Sequence, residues 1–306
     1  MAQSQASLNI LAIVKGSATT SLAIRAMRNK QIVYIRVPRD VFLTGWDLMT
    51  SVEPDLSMIP ESNNCKVWSL DVVEGEGIGR SVQALGHGIP TRLLGGVQGI
   101  DHIPGLSTIM KAEYSEFTSI HTQKMGAGEG RRTDRLQVAT HPKLDGKVMI
   151  KIAEIPDVLP LDKNEVFCFG TGEAEMTTEI IYHHELSETG LAPKFIGLVT
   201  EKGRGVIGYI MEYMEGCQSF EELVKTRKCT PQDIENGLKL IDQMHARGIY
   251  HGDLHPGNML RCPNGSVRII DFQFSKRLNA EGFVEGKPIY SASNEREDFL
   301  DSALDR

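Results

Sequence analysis

The stretch Tyr250–Phe274, YHGDLHPGNMLRCPNGSVRIIDFQF, decides how the rest of the chain is read. It sets Asp253 in a polar loop, places Asn258 five positions later, and runs through the apolar segment Val267–Ile270 into Asp271. Phosphoryl transfer needs one carboxylate to orient the attacking hydroxyl, and an amide with a second carboxylate to hold Mg²⁺ against the phosphates. Two aspartates and an asparagine at these spacings, between a helical pattern and a strand pattern, supply those groups. The competing reading is a polar helix-to-strand loop with no chemistry, for which the repeated acid and amide spacing has no use.

The wording His251-Gly252-Asp253-Leu254-His255-Pro256-Gly257-Asn258, followed by Asp271-Phe272, resembles the catalytic loop and metal-binding strand end of the protein-kinase-like superfamily. It is similar above all to its aminoglycoside and choline phosphotransferase, RIO and lipopolysaccharide-kinase-like branches. The resemblance implies ATP and Mg²⁺ as cofactors, Asp253 as the residue that orients the acceptor, and Asn258 and Asp271 as metal ligands. Gly252 stands where regulated protein kinases carry an arginine that grips an activation-loop phosphate, which implies no need for activating phosphorylation. Gln273 occupies the glycine position of Asp-Phe-Gly, a glycine that aminoglycoside-type phosphotransferases also lack. His251 is read as a loop anchor near Asp271, and His255 is left without a role.

Upstream, Val148-Met149-Ile150-Lys151 resembles the strand whose lysine meets the α and β phosphates. Isoleucines on both sides of Lys151 argue for a buried strand that needs a reason to hold a charge. Gly126, Gly128 and Gly130 lie between the strand-like runs 117–122 and 136–139, where glycine lets backbone N–H groups approach phosphate. Glu173–Glu188 reads as a helix stopped by Gly190. Glu179 is the expected partner of Lys151, with Glu173, Glu175 and Glu185 as alternatives. The apolar run Gly205–Met214 predicts a strand ending where adenine would meet backbone, so Glu212 and Met214 are named by position. Ser219 opens a capping box with Glu222, and Thr230-Pro231 starts a longer helix with Ile234, Leu238, Ile241 and Met244 as its buried stripe.

The first 104 residues are less explicit. Leu8–Val14, Gln31–Val37 and Lys66–Val73 read as strands, and Ser21–Asn29 as a short helix between the first two. Gly75, Gly77 and Gly79 imitate a phosphate loop, but no lysine follows on a strand at a usable spacing, so they read as a turn. Gly86–Gly105 reads as a connector.

The chain has 306 residues, 41% hydrophobic and 24% charged, with a net charge of −7. This balance fits a globular protein and argues against nonspecific nucleic-acid binding. Five scattered cysteines without a Cys-x-x-Cys pair argue for reduced thiols and against zinc. No apolar run approaches the ~20 residues that span a bilayer, and no basic segment precedes Leu8–Val14 as in a secretory leader. A cytoplasmic location without membrane association is expected. Few residues follow Phe274, with one short helix predicted over 294–303.

The expected architecture is therefore α+β. A bilobal protein-kinase-like fold is expected, with an N-lobe over 105–214, a reduced C-lobe over 215–306, and an N-terminal α/β extension over 1–104 that serves a substrate or partner. The expected activity is ATP- and Mg²⁺-dependent phosphotransfer to a small-molecule or atypical hydroxyl or amine acceptor, whose identity is open. Rival readings are an atypical protein kinase, a nucleotide-binding pseudokinase scaffold, and a kinase-like fold adapted to another group transfer.

Overall fold

A computed structural model describes residues 9–15, 21–28, 31–38, 67–73, 79–84, 100–122, 136–153, 171–201 and 205–304. The first five strands form one sheet in the order β1 (Asn9–Lys15), β2 (Ser21–Arg28), β3 (Gln31–Pro38), β4 (Val67–Val73) and β5 (Gly79–Ala84). Its pairings are antiparallel except for the parallel β3–β4 step. The helix expected over 21–29 is instead β2, paired with β1 on one side and β3 on the other. Leu, Ala and Met favour a helix in isolation, but pairing on both edges gives the backbone its hydrogen-bond partners and overrides that weak preference. The pseudo-phosphate loop resolves in part: Gly79 opens β5 opposite Val73, while Gly75 and Gly77 lie outside the described residues.

A six-stranded sheet follows, in the order β6–β10–β11–β9–β8–β7. Its strands are β6 (Met110–Glu113), β7 (Thr118–Thr122), β8 (Leu136–Thr140), β9 (Val148–Ile152), β10 (Phe195–Glu201) and β11 (Gly205–Glu212). Every residue of β9 is buried, and strand alternation divides them between two cores. Val148, Ile150 and Ile152 join Ala139, Val199, Ile207 and Ile210 on one face. Met149 lies on the other, with Leu198, Tyr209 and Met211, under Met176 and Ile180 of α1 (Thr171–Ser187). Lys151 shares the parity of Met149, so the pleat itself aims its side chain at α1. Ile100 is also buried in this second core, so packing begins inside the stretch read as a connector.

The remaining chain holds α2 (Phe220–Lys225), α3 (Pro231–His245) and α4 (Ala292–Leu304), with β12 (Gln218–Ser219) to β18 (Lys287–Ser291) between and around them. Both expected caps form. Ser219 accepts from the Glu222 N–H, and Thr230 exchanges hydrogen bonds with Asp233 in a full capping box. The stripe expected on α3 is rotated by one residue at its start: Asp233, Gly237, Ile241 and Met244 are buried, while Ile234 and Leu238 are half-buried. Asp233 goes inward because Arg261 pairs with it at 2.9 Å. Gly237 goes inward because Met259, Phe220 and Phe299 close over it. That core also contains Leu186 and Leu191 at the end of α1 and just beyond.

The approach of β11 to β9 depends on Gly208. A Cβ there would stand 2.1 Å from the Lys151 carbonyl oxygen and 2.8 Å from the Ile152 Cα, both backbone atoms that cannot step aside. Gly208→Ala should therefore destabilise the protein by about 1–3 kcal/mol or more, the range of overpacked cores. Urea unfolding measures this, and an unchanged midpoint would show that the two strands separate without cost.

Candidate active site

The site is assembled by a hairpin and a helix. β14 (Met259–Arg261) and β15 (Val267–Ile269) pair antiparallel with Met259 opposite Ile269. That register carries Asn258 alongside Ile270, whose N–H donates to the Asn258 carbonyl at 3.0 Å. Asn258 and Asp271 thus emerge side by side from one end of the hairpin. The Asn258 Nδ2 donates to the Asp253 carbonyl at 2.9 Å, tying the loop closed across its five-residue span. Asp253 itself is exposed, whereas Asn258 is buried.

Lys151 joins this group from β9. Its Nζ donates to Glu179 Oε2 at 2.7 Å and to Asp271 Oδ1 at 2.9 Å. Glu179 is wholly buried and its other oxygen accepts from the Tyr209 hydroxyl at 2.9 Å. Burial pushes the Glu179 carboxyl above the usual carboxylate range, partly offset by the Lys151 ammonium and the Tyr209 hydroxyl. Of the alternative acids, Glu185 pairs instead with Arg277, Glu175 is half-buried, and the Glu173 side chain lies outside the described residues. Gly126, Gly128 and Gly130 also lie outside them. Glu212 ends β11, where its N–H donates to the Lys194 carbonyl at 3.0 Å and its carboxylate accepts from the Lys194 N–H at 2.7 Å. The Met214 carbonyl accepts from the Cys217 N–H.

Asp271 has a φ of 70°, in the left-handed region. Aspartate is among the few non-glycine residues that visit it, and such strain collects at functional sites. Gln273 is not among the positive-φ residues, which explains why a side chain is tolerated at a position where the resembling motif has glycine. Gly252 is the opposite case. Its φ is 85°, and a Cβ would sit 2.4 Å from the Phe274 carbonyl oxygen, so no arginine fits this backbone.

Three supports were not legible as site residues. Glu295 of α4 is buried and accepts from the His251 N–H at 3.0 Å, the Gly252 N–H at 2.7 Å and His245 Nε2 at 2.8 Å. Nothing in the spacing of NEREDF (294–299) distinguishes it from the other acids of that helix. Tyr209 looked like one more apolar strand residue. His183, one turn beyond Glu179, packs against Tyr209 and, edge-on, against Phe272. His251 anchors the loop as expected, through Nε2 to the Ile270 carbonyl at 3.0 Å. His255 caps a short turn by accepting from the Gly257 N–H at 3.0 Å.

Two buried histidines beside the site give the fold a pH dependence. Burial holds His183 at about 3, and burial also lowers His251. An unfolded histidine titrates near ~6.5, so below that pH the unfolded chain binds protons that the folded chain refuses. Stability is complete above about pH 6.5 and declines as pH falls toward 3, by ~1.4 kcal/mol per pH unit for each such proton. His183→Gln should flatten this slope by about one proton. Urea unfolding at pH 7.5, 6 and 5 reads it out, and superimposable slopes would show that His183 titrates alike in both states.

Residues 146–294 match the family described as the protein kinase domain. CBL-interacting protein kinase 14 of Oryza sativa subsp. japonica is 30% identical over 152 residues, covering 43% of this chain and 31% of that protein. CBL-interacting serine/threonine-protein kinase 12 of Arabidopsis thaliana is 26% identical over 167 residues, covering 52% and 32%. Human ribosomal protein S6 kinase alpha-2 is 31% identical over 113 residues, covering 34% and 15%. The chain thus spans a third or less of the length of these relatives. The matched stretch contains Lys151, Glu179 and Asp271, which the structure joins by hydrogen bonds, and Asp253 and Asn258, joined through the Asp253 carbonyl. Over that stretch the chain is similar to protein kinase domains.

Proposed function

We propose that this chain transfers the γ-phosphoryl group of ATP to a hydroxyl, with Mg²⁺, and that the acceptor hydroxyl belongs to a protein. The observation that carries the reading is the bridge from Glu179 through Lys151 to Asp271, beside the closed loop of Asp253 and Asn258. The matched relatives are named as protein kinases, which favours a protein acceptor over the small molecule expected from the loop wording. Gly252 favours the second reading, a small hydroxyl acceptor, because it leaves no arginine in the loop.

The residues suit Mg²⁺ brought by a nucleotide. Among the described residues no cluster of three or more His, Cys, Asp or Glu forms a metal cage. Mg²⁺ does not require one, since it keeps waters and phosphate oxygens and takes one or two hard protein oxygens. The Asn258 amide has its nitrogen engaged with the Asp253 carbonyl, so its oxygen is the atom that would join Asp271 in holding the ion. Bound there, the ion would neutralise charge on the phosphates. Lys151, steered by Glu179, would hold the α and β phosphates. Asp253, exposed and backbone-tethered, would orient the acceptor hydroxyl and accept its proton. The backbone of the Glu212–Met214 segment would meet the adenine edge, and Gly126, Gly128 and Gly130 would cover the phosphates. We assign 105–214 and 215–306 to the two lobes of this enzyme and 1–104 to a substrate or partner role. No helix among the described residues is long and apolar enough to cross a membrane.

Asp253→Asn is nearly isosteric and deletes only the proton acceptor. It should cut transfer of labelled phosphate from ATP by about 10²-fold or more, the scale of general-base catalysis, while the thermal shift with Mg·ATP persists. Turnover within a few-fold of wild type on both protein and small-hydroxyl acceptors would remove Asp253 from its role.

Asp271→Ala should abolish the Mg²⁺-dependent part of the thermal shift with ATP. An equal shift in variant and wild type would place the metal elsewhere and move the chain toward a scaffold role.

A further inference from the structure

The segment that leaves Asp271 runs into a cluster that the catalytic reading does not use. β16 (Lys276–Arg277) pairs with β13 (Ile249–Tyr250), placing Lys276 opposite Tyr250, three residues before Asp253. Tyr250 faces Tyr290 of β18 with ring centroids 6.1 Å apart. Over the same Tyr290 ring stand two ammonium groups, Lys276 Nζ and Lys287 Nζ, each 5.8 Å from its centroid. Phe274 and Tyr290 are 42% and 41% exposed.

Two cations on one ring repel each other, and a protein of net charge −7 has acids enough to separate them. Here they are kept together. Among the described residues neither Lys276 nor Lys287 has an ion-pair partner, whereas Arg277, next in sequence, is paired with Glu185 and stacked over Tyr182. Burial, and then the neighbouring Lys287, hold Lys276 below the usual lysine range, with no carboxylate acting in the opposite direction. The acids felt by Tyr250 are Glu295 and Asp298, and Glu295 already serves His245 and two loop amides. An anion between the two ammonium groups would relieve their repulsion and complete a pair of charge-assisted hydrogen bonds.

We infer that Lys276, Lys287 and Tyr290 form an acceptor-recognition site for a carboxylate-bearing peptide segment, positioned so that an acidic residue near the acceptor hydroxyl is held while that hydroxyl reaches Asp253. The inference takes the place of the hydroxyl from the phosphotransferase reading. The exposed rings of Phe274 and Tyr290 give the peptide an apolar floor beside its charged anchor. A lipid surface is the weaker occupant, because two lysines contribute only ~1 kcal/mol each at an anionic membrane and the chain as a whole is acidic.

Binding tests this without relying on catalysis. Two fluorescein-labelled peptides with one central serine, flanked by glutamates in one and alanines in the other, are titrated against the full chain by fluorescence anisotropy at low and physiological salt. The glutamate peptide should bind about tenfold more tightly or better, as one charge-assisted contact supplies, and the advantage should shrink with salt. The double variant Lys276→Met, Lys287→Met should erase it while keeping the wild-type thermal shift with Mg·ATP. Lys287→Met alone, on an exposed hairpin, should halve the logarithm of the preference and serves where the double variant fails to fold. Equal binding of both peptides by the wild type, or an undiminished preference in the variants, overturns the site. So does retention on phosphatidylserine vesicles without a peptide preference. Failure of the phosphotransferase reading registers separately, as labelled-phosphate transfer that does not depend on Asp253.

Discussion

The structure turns on one ammonium group. Lys151 sits in a strand with every residue buried, between two isoleucines, where an unpaired charge would cost several kcal/mol. It is tolerated because two carboxylates reach it, Glu179 at 2.7 Å and Asp271 at 2.9 Å. Each carboxylate comes from a different element, so the charge can be satisfied only when β9, α1 and the end of the β14–β15 hairpin are all in place. Removing one partner would leave the others buried and uncompensated, a harsher penalty than losing a surface pair. The geometry that the chemistry requires is therefore also the geometry that electrostatics enforces.

The neutral parts of the molecule serve that arrangement. Gly208 lets β11 press against β9 at the peptide of Lys151, and Tyr209, the next residue, donates to Glu179 from the same strand. Glu179 is thus held by a cation on one oxygen and a hydroxyl on the other. His183 fills the space behind it, donating from Nε2 to the Pro193 carbonyl and packing on Phe272. Phe272 in turn contacts His251, which holds the Ile270 carbonyl. A continuous packed path thus runs from α1 to the loop of Asp253, and it contains two histidines that must stay neutral.

What was legible in the sequence divides along physical lines. Lys151, Glu179, Asp253, Asn258 and Asp271 stood out because each lies in, or in the loop next to, an element legible from local pattern. The structure joins Lys151 to Glu179 and Asp271, and Asn258 to the Asp253 carbonyl. The N-caps of α2 and α3 were legible for the same reason: they are interactions between residues three apart. The first sheet was misread where sequence pattern was weakest. Ser21–Arg28 has helix-forming residues, and only the flanking strands, set by long-range pairing, decide that it is extended. The inward turn of Asp233 was hidden because its partner Arg261 lies far along the chain.

Glu295 shows the limit of spacing arguments most sharply. A strained Asp271 and a glycine at φ 85° would each relax if the loop between them were free to move. The loop is fixed at the far end of the chain instead, where a buried carboxylate collects two consecutive backbone N–H groups and His245. Two consecutive amides pointing one way require the turn that Gly252 alone can make, because a Cβ would strike the Phe274 carbonyl. Gly252 and Glu295 are consequently one feature written in two places. Either residue read alone suggests flexibility or solvation, and together they make the loop of Asp253 a fixed platform.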